Sequence, residues 1–224
     1  LGRQIDQPNV LALDSGGTTA KCSLIEGGEV KIVSDYWIER TKSNAGYPVM
    51  VPVVDIVEIG NGGGSIAWVD HFGKLRVGPH SAGANPGPSS YRRGGPLTVT
   101  DCNVMLGKLQ PEYFPHVFGD EQNQPLDADI VFKNFAELRD EIQEKTGNNR
   151  TPVEVADGFL KVAVENMANA IKKISIQRGY DVSEYVLSCF GGAGGQHACL
   201  VADALGMKQV FLHPLAGVLS SYGM

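Results

Sequence analysis

The sequence predicts an α/β fold in which a mixed sheet begins with an antiparallel meander and carries helices on its faces. Short apolar segments with a period of two, joined by glycine turns, occupy the first part of the chain. The last part alternates long amphipathic segments with short apolar ones, giving the order helix, strand, helix, strand. Hydrophobic residues make up 42% and charged residues 20%, which is ordinary for a globular protein.

The first predicted elements are a strand, a glycine turn and a second strand within residues 10–29. Residues 10–14 form an apolar run that ends in Asp14, and residues 20–26 alternate apolar and polar side chains. A Gly-Gly pair then reverses the chain. Residues 30–39 favour a third strand, which would complete the meander.

The middle of the chain repeats this logic and then becomes irregular. Residues 55–70 predict a strand, a glycine turn and another strand. Residues 78–96 predict a long loop, and a loop of that length in a compact domain is usually functional. Residues 98–109 predict a helix with Thr100 as its N-cap. We expect residues 110–149 to form an appended, surface-exposed subregion.

The clearest predicted helix begins at Thr151. Thr151 and Glu154 form a capping-box pair, a proline occupies the first helical position, and Gly179 is expected to end the helix. The remaining predicted elements are a buried strand at 185–190, a helix at 196–205 and a last strand at 210–213.

Charge and cysteine use exclude several classes of protein. The net charge of −6 and the pI near 5.4 argue against nucleic acid or an anionic membrane as the main partner. No apolar run approaches the roughly 20 residues of a membrane span. The four cysteines are scattered, as expected for thiols in a reducing cytoplasm, and with the five histidines they show no metal-ligand spacing.

Three glycine turns follow apolar strands, at residues 14–19, 60–65 and 191–195. Ligands of open α/β sheets gather at strand ends, and glycines let backbone N–H groups converge on a phosphate. Asp14 is placed to bind a metal ion beside that phosphate. An ordinary glycine-rich hairpin with a capping aspartate remains the alternative for the first turn. GGAGG does not fit GxGxxG, and GxxxxGK[ST] is absent, which disfavours Rossmann and P-loop folds.

Other candidate residues have plainer alternatives. Lys21 could reach a phosphate or remain a solvated lysine. Asp101 and Asn103 could reach the cleft, although Asp101 in a first helical turn also stabilises the helix dipole. For His197 a structural role is favoured. Ser65 lacks a neighbouring His–Asp arrangement, which disfavours a nucleophile.

Several motifs together resemble a known family. LALDSGGTTAK resembles the phosphate loop of the actin-like ATPase superfamily. DIVEIGNGGGSIAWVD, RVGPHSAGANPGP, YRRGGPLTVTDCNVMLG and FGGAGGQHACLVADALG resemble the hydantoinase A / 5-oxoprolinase family, which includes the ATP-using subunits of acetone and acetophenone carboxylases. The resemblance covers nearly all of the chain except residues 110–149.

The resemblance implies an actin-like ATPase (ribonuclease H-like) lobe over residues 1–224, the second of two lobes around ATP. Because the chain starts at Leu1 and stops at Met224 in an unfinished loop, we expect it to be a piece of a longer polypeptide. The resemblance implies Asp14 as the Mg²⁺ ligand, and Asp14 and Asp101 are the candidate catalytic residues. The implied ATP-binding residues are Ser15, Gly16, Gly17, Thr18, Thr19 and Lys21 at the phosphates and Gly191, Gly192, Gly194 and Gly195 at the adenosine.

The implied activity is ATP-dependent hydrolysis of a cyclic amide, or carboxylation of a ketone, after phosphorylation of a carbonyl group. The implied partners are a small-molecule substrate, the first actin-like lobe, and a hydantoinase B-type large subunit or fused domain. Without that first lobe we expect the isolated chain to be inactive. A non-catalytic actin-like nucleotide-binding regulator and a small-molecule kinase lobe are the alternatives.

Overall fold

The computed structural model describes residues 2–34, 36–41 and 43–222. Leu1 and Met224, on which the expectation of a longer polypeptide rests, lie outside the described residues. The helices are α1 (Val99–Met105), α2 (Ala128–Thr146), α3 (Pro152–Ile174), α4 (Ala198–Leu205) and α5 (Leu219–Tyr222). The strands are β1 (Val10–Ser15), β2 (Ala20–Glu26), β3 (Glu29–Val30), β4 (Ile32–Val33), β5 (Tyr36–Ile38), β6 (Tyr47–Val49), β7 (Val53–Val54), β8 (Val57–Ile59), β9 (Ser65–Val69), β10 (Leu75–Ser81), β11 (Val186–Phe190) and β12 (Gln209–Phe211).

The main sheet is mixed, as the sequence predicts. Its strand order is β12-β11-β1-β2-β3, and β8 also pairs with β2. Strands β12, β11 and β1 are parallel, whereas β2 runs antiparallel to β1. In this register Asp14 lies opposite Phe190 on one side and Lys21 on the other. The carboxyl ends of β1 and β11 therefore meet at one edge of the sheet.

The prediction of one continuous third strand over residues 30–39 is wrong. Only β3 joins the sheet, while β4 pairs with β7 and β5 pairs with β6 in two small separate ribbons. Val30, Ile32 and Tyr36 are each about half exposed, so no buried face fixes one register for the segment. Glu39 has φ 57°, which ends the extended run, and Asp35 lies outside the described residues.

Helix α3 connects two apolar cores. Its second half packs Met167 and Ile171 with the helix-facing side of the main sheet, and its first half packs Val155 and Phe159 with α1, α2 and the β9–β10 hairpin. The predicted capping box is present, since Thr151 and Glu154 bond reciprocally. The helix ends at Ile174 rather than at Gly179, and Gly179 closes the 3-10 turn that follows.

Residues 110–149 are not merely surface-exposed, contrary to the expectation. Val131, Phe135 and Ile142 of α2 are 0–2% exposed and belong to the second core. They recur at helical spacing and form one buried stripe against α1 and α3. That a single lobe spans residues 1–224 stays a prediction. Among the helices that the structure describes, none is long and apolar enough to cross a membrane.

The N-cap of helix α1 lies two residues before the predicted one. Thr98, rather than Thr100, is the N-cap, and it forms a capping box with Asp101. The helix also ends at Met105, four residues before the predicted limit. Thr100 is thereby free for a different contact, which helps to build the site described next.

Candidate functional site

The three glycine turns meet at the carboxyl ends of β1, β8 and β11. In the third turn Ala193 donates its N–H to the Ser15 carbonyl at 2.9 Å. In the second turn Gly63 donates to the Gly16 carbonyl at 3.0 Å. The Gly63 carbonyl in turn accepts from the backbone and the hydroxyl of Thr100. Backbone hydrogen bonds thus join the first turn to both of the others.

The close approach of the turns requires glycine at two positions, Gly62 and Gly191. A Cβ on Gly62 would lie 2.5 Å from the Gly16 carbonyl oxygen and 2.7 Å from the Thr18 nitrogen. Gly191 has φ +86°, and its Cβ would lie 2.5 Å from Asp14 Oδ1. Side chains other than glycine would therefore separate the turns or displace the Asp14 carboxylate.

The turns form one side of a cleft of about 340 Å³. The amide N–H groups of Gly17, Thr18 and Gly192 have no hydrogen-bond acceptor within the part of the chain that the structure describes. A Cβ on Gly17 or Gly192 would meet no atom within 4 Å. Unpaired amides beside open space suit an anion such as a phosphate. The lining residues are Gly17, Thr18, Gly63, Gly64, Gly83, Ala84, Pro88, Tyr91, Thr100, Leu109, Phe114, Gly192, Ala193 and Gln196.

Asp14, Ser15, Gly16 and Thr19, the other predicted residues of the first turn, are not among the residues that line this cleft. Asp14 is half-buried at the end of β1, beside Gly191. Ser15 is fully buried, and its hydroxyl has no partner in the described structure. Gly16 donates to the Thr19 carbonyl at 3.1 Å, which closes the turn.

The predicted adenosine glycines differ in their surroundings. Gly192 lines the cleft, and Gly191 lies beside the Asp14 carboxylate. Gly194 is buried behind the turn, where a Cβ would lie 2.9 Å from the Cys189 sulfur. Gly195 is exposed, with nothing within 4 Å of its ideal Cβ. Their contact with adenosine stays a prediction.

Lys21 does not line the cleft. It lies on β2 directly opposite Asp14, and its Nζ is 3.7 Å from Glu58 Oε1 on β8. Both side chains of this ion pair are about half exposed. The structure therefore favours a solvated role for Lys21 over a contact with a phosphate in this cleft.

Asp101 is a positioning residue rather than part of the cleft wall. It is fully buried, and its carboxylate accepts hydrogen bonds from the amides of Ser89, Ser90 and Thr98 at 2.8–3.0 Å and from the Thr98 hydroxyl at 2.9 Å. Burial raises its pKa, and these hydrogen bonds act in the opposite direction. The carboxylate holds the segment that carries Tyr91 into the cleft, so a direct catalytic contact is not supported by its position.

His197 and Ser65 have structural roles, which the sequence analysis gave as the plainer alternatives. His197 is fully buried, and neither ring nitrogen has a partner among the described residues. Burial, with a smaller contribution from the charge of Lys108, lowers its pKa to about 4, so the ring is neutral at pH 7. Ser65 is buried, and its hydroxyl accepts a hydrogen bond from the Gly62 amide at 2.9 Å. This hydrogen bond stabilises the second turn.

One wall of the cleft was not predicted from the sequence. Tyr91, Leu109 and Phe114 line it from the loop and the irregular segment on either side of α1, and Gln196 lines it from the third turn. The length of the loop at 78–96 was the available signal, because this loop supplies four of the lining residues. No comparable signal marks Leu109 or Phe114.

Comparison with known proteins identifies relatives along the whole chain. The hydantoinase/oxoprolinase family model matches residues 1–224. The 5-oxoprolinase of Dictyostelium discoideum is 43% identical over 225 residues, which cover 99% of this chain and 17% of that protein. Caprolactamase subunit alpha of Pseudomonas jessenii is 36% identical over 219 residues, covering 96% of this chain and 29% of the subunit.

Two solved structures share the fold. The ATP-dependent caprolactamase from Pseudomonas jessenii superposes with a TM-score of 0.82 at 34% identity, covering 99% of this chain and 30% of that one. Nucleotide-free acetone carboxylase superposes with a TM-score of 0.80 at 24% identity, covering 99% and 29%. These matches confirm the resemblance and the fold class drawn from the sequence. The chain spans less than a third of each of these relatives.

Proposed function

Because the chain belongs to the hydantoinase/oxoprolinase family, we propose that it forms one side of the ATP site of an ATP-dependent hydrolase acting on a cyclic amide. The observation that carries this proposal is the convergence of three glycine turns on one cleft with unpaired amides. The names of the relatives support the reaction class, since 5-oxoprolinase and caprolactamase both open cyclic amides.

The turns would bind the phosphates of ATP through the backbone. Gly17, Thr18 and Gly192 each offer an amide N–H without an acceptor in the described structure, and the Thr18 hydroxyl adds a further donor. Backbone donors held in place by neighbouring turns need little reorganisation when charge develops on a transferring phosphoryl group. The role of this chain is thus to position the phosphates and to stabilise their charge.

Asp14 fits the requirement for a Mg²⁺ site next to those phosphates. Mg²⁺ in nucleotide sites is typically held by one or two carboxylates together with phosphate oxygens and water. Asp14 is half-buried at the end of β1, and Gly191 holds the third turn against its carboxylate. When bound, the ion would supply charge neutralisation. Within the described residues, no three His, Cys, Asp or Glu side chains form a metal-binding cluster by themselves.

The proposed chemistry is transfer of the terminal phosphoryl group of ATP to the carbonyl oxygen of the amide. ADP leaves, and a first water adds to the carbon that bears the phosphorylated oxygen and expels the ring nitrogen as the amine, which would open the ring and give an acyl phosphate. A second water would then release phosphate and leave the carboxylate. Ketone carboxylation is the second candidate, but the acetone carboxylase match at 24% identity supports the fold alone. The amide hydrolases match at 34–43% identity, which favours the first candidate.

The rest of the site is proposed to come from outside this chain. The chain spans 17% of the Dictyostelium discoideum 5-oxoprolinase. A first actin-like lobe would close the cleft over ATP, and a hydantoinase B-type subunit or fused domain would complete the hydrolytic step. We propose a cytoplasmic location for the assembly, as the cysteine pattern predicts.

The test measures both products with the complete polypeptide that carries this sequence. Mg·ATP is mixed with hydantoin, 5-oxoproline or caprolactam, and ADP and the ring-opened product are quantified. We expect ADP and the ring-opened product in equal amounts. The turnover rate should fall at least a hundredfold in Asp14→Asn and should not change in Asp203→Asn, which alters a matched carboxylate exposed on α4. Ring opening without ATP would refute the proposal, and ATP binding without turnover would favour the regulator.

A further inference from the structure

Two consecutive carbonyl groups of the first glycine turn are held by the second turn. The Gly16 carbonyl accepts from the Gly63 amide at 3.0 Å. The next carbonyl, that of Gly17, accepts from the Gly64 amide. Because a peptide unit is rigid and planar, each of these hydrogen bonds fixes the orientation of one whole peptide plane. The second turn thus sets two successive peptide planes of the first turn.

The unpaired amides of Gly17 and Thr18 belong to these same two peptide units. In a trans peptide the C=O and N–H groups point in opposite directions. The cis peptide bonds of the described residues lie elsewhere, at 78–79 and 85–86. Each of the two N–H groups therefore points away from the donor that holds its carbonyl, and both residues line the cleft. The second turn in this way aims the two amides that are proposed to bind phosphate.

Thr100 holds the second turn from the far side. The Gly63 carbonyl accepts from the Thr100 amide at 2.8 Å and from the Thr100 hydroxyl at 2.9 Å. This carbonyl shares a peptide unit with the Gly64 amide, which donates to Gly17. One chain of hydrogen bonds therefore runs from Thr100 through two peptide units to the Thr18 N–H. Hydrogen bonds linked in a chain polarise one another, so each donor strengthens the next.

The Thr100 hydroxyl cannot itself donate to a phosphate. A threonine hydroxyl carries one proton, and here that proton is engaged by the Gly63 carbonyl. The lone pairs that remain on the hydroxyl oxygen are acceptors, and phosphate oxygens have no proton to give them. The side chain is also buried, with 8% of the residue exposed. Although Thr100 lines the cleft, its hydroxyl therefore acts through the backbone of the two turns.

We infer that Thr100 is a positioning residue for the phosphates of ATP, and that its hydroxyl acts through the 63–64 and 17–18 peptide units. The hydroxyl is the second of two donors to one carbonyl. Its loss leaves the backbone hydrogen bond from Thr100 in place, so the turns stay together while the Thr18 amide becomes a weaker and less fixed donor. The inference rests on the proposed function, since it requires phosphates at the first turn.

The test measures Mg·ATP affinity by calorimetry in the complete polypeptide. Thr100→Val removes the hydroxyl and keeps the shape of the side chain, and we expect it to bind Mg·ATP at least about threefold more weakly. Thr100→Ser keeps the hydroxyl and should restore the wild-type affinity. Thr146→Val is the matched control on α2, because it removes a hydroxyl that donates to the Ile142 carbonyl at 2.7 Å. It should bind Mg·ATP as the wild type does.

A double-mutant cycle tests whether Thr100 acts through the first turn. In a Gly17→Ala background, the new methyl group lies beside the aimed amides, so Thr100→Val should cause a further loss of less than about twofold. The full additive loss would overturn the inference, as would wild-type affinity in Thr100→Val. Equal weakening in Thr100→Ser and Thr100→Val would overturn it too, because the hydroxyl would then not be the acting group. A wild type that binds no Mg·ATP would instead refute the proposed function.

Discussion

Gly62→Ala should act as a wedge between the first and second glycine turns. The new Cβ would lie 2.5 Å from the Gly16 carbonyl oxygen and 2.8 Å from the Gly17 carbonyl carbon, both of them backbone atoms. Overpacking of this kind costs about 1–3 kcal/mol. The wedge also breaks the hydrogen bond from Gly63 to Gly16, whose loss costs about 1 kcal/mol. We expect the local junction to lose about 2–4 kcal/mol in all.

Hydrogen exchange in the complete polypeptide measures this local loss. The Gly63 and Gly64 amides donate across the junction, so their exchange reports its opening. A loss of about 2–4 kcal/mol corresponds to exchange roughly 30- to 1,000-fold faster. Gly217→Ala is the matched control, since its Cβ meets nothing within 4 Å and its φ is not left-handed. Unchanged protection in Gly62→Ala would refute the close approach of the two turns.

Three further predictions concern burial and charge. As the pH falls from about 6.5 to 4, the wild type should lose about 3 kcal/mol of unfolding free energy relative to His197→Leu. The folded-state pKa of His197 is near 4 and lies below its unfolded value, so the unfolded chain binds the proton first. Thermal midpoints measured as a function of pH test this. Phe135→Ala should cost about 3–5 kcal/mol and Phe132→Ala, at a 56% exposed position, under about 0.5, by chemical denaturation. Asp101→Asn should lower the free energy of unfolding by at least about 2 kcal/mol, again by chemical denaturation, since its amide group would face N–H donors.

Local chemistry made the turns and the caps predictable. The capping box at Thr151 and the glycine turns after β1 and β11 depend on residues within a few positions of one another. The convergence of the turns was only an expectation, because Ala193 reaches Ser15 from 178 positions away in the sequence, through the parallel pairing of β1 with β11.

Tertiary context decided the elements that sequence alone misjudged. The β-branched and aromatic residues at 30–39 favour a strand, but the segment has no buried face to hold it in the sheet. Phe135 looked peripheral because residues 110–149 show irregular or only weakly helical character in the sequence, yet its side chain is completely buried in the second core. Leu109 and Phe114 come from irregular segments, where no periodicity marks the side that faces a ligand.

Binding of Mg·ATP tests the central claim most directly. Calorimetry on the complete polypeptide compares the wild type with Gly17→Ala, whose methyl group would meet no protein atom within 4 Å and would project beside an unpaired amide of the cleft. We predict an unchanged thermal midpoint and ATP binding at least tenfold weaker than in the wild type. Equal affinity in Gly17→Ala would contradict the assignment of the glycine turns as the phosphate site.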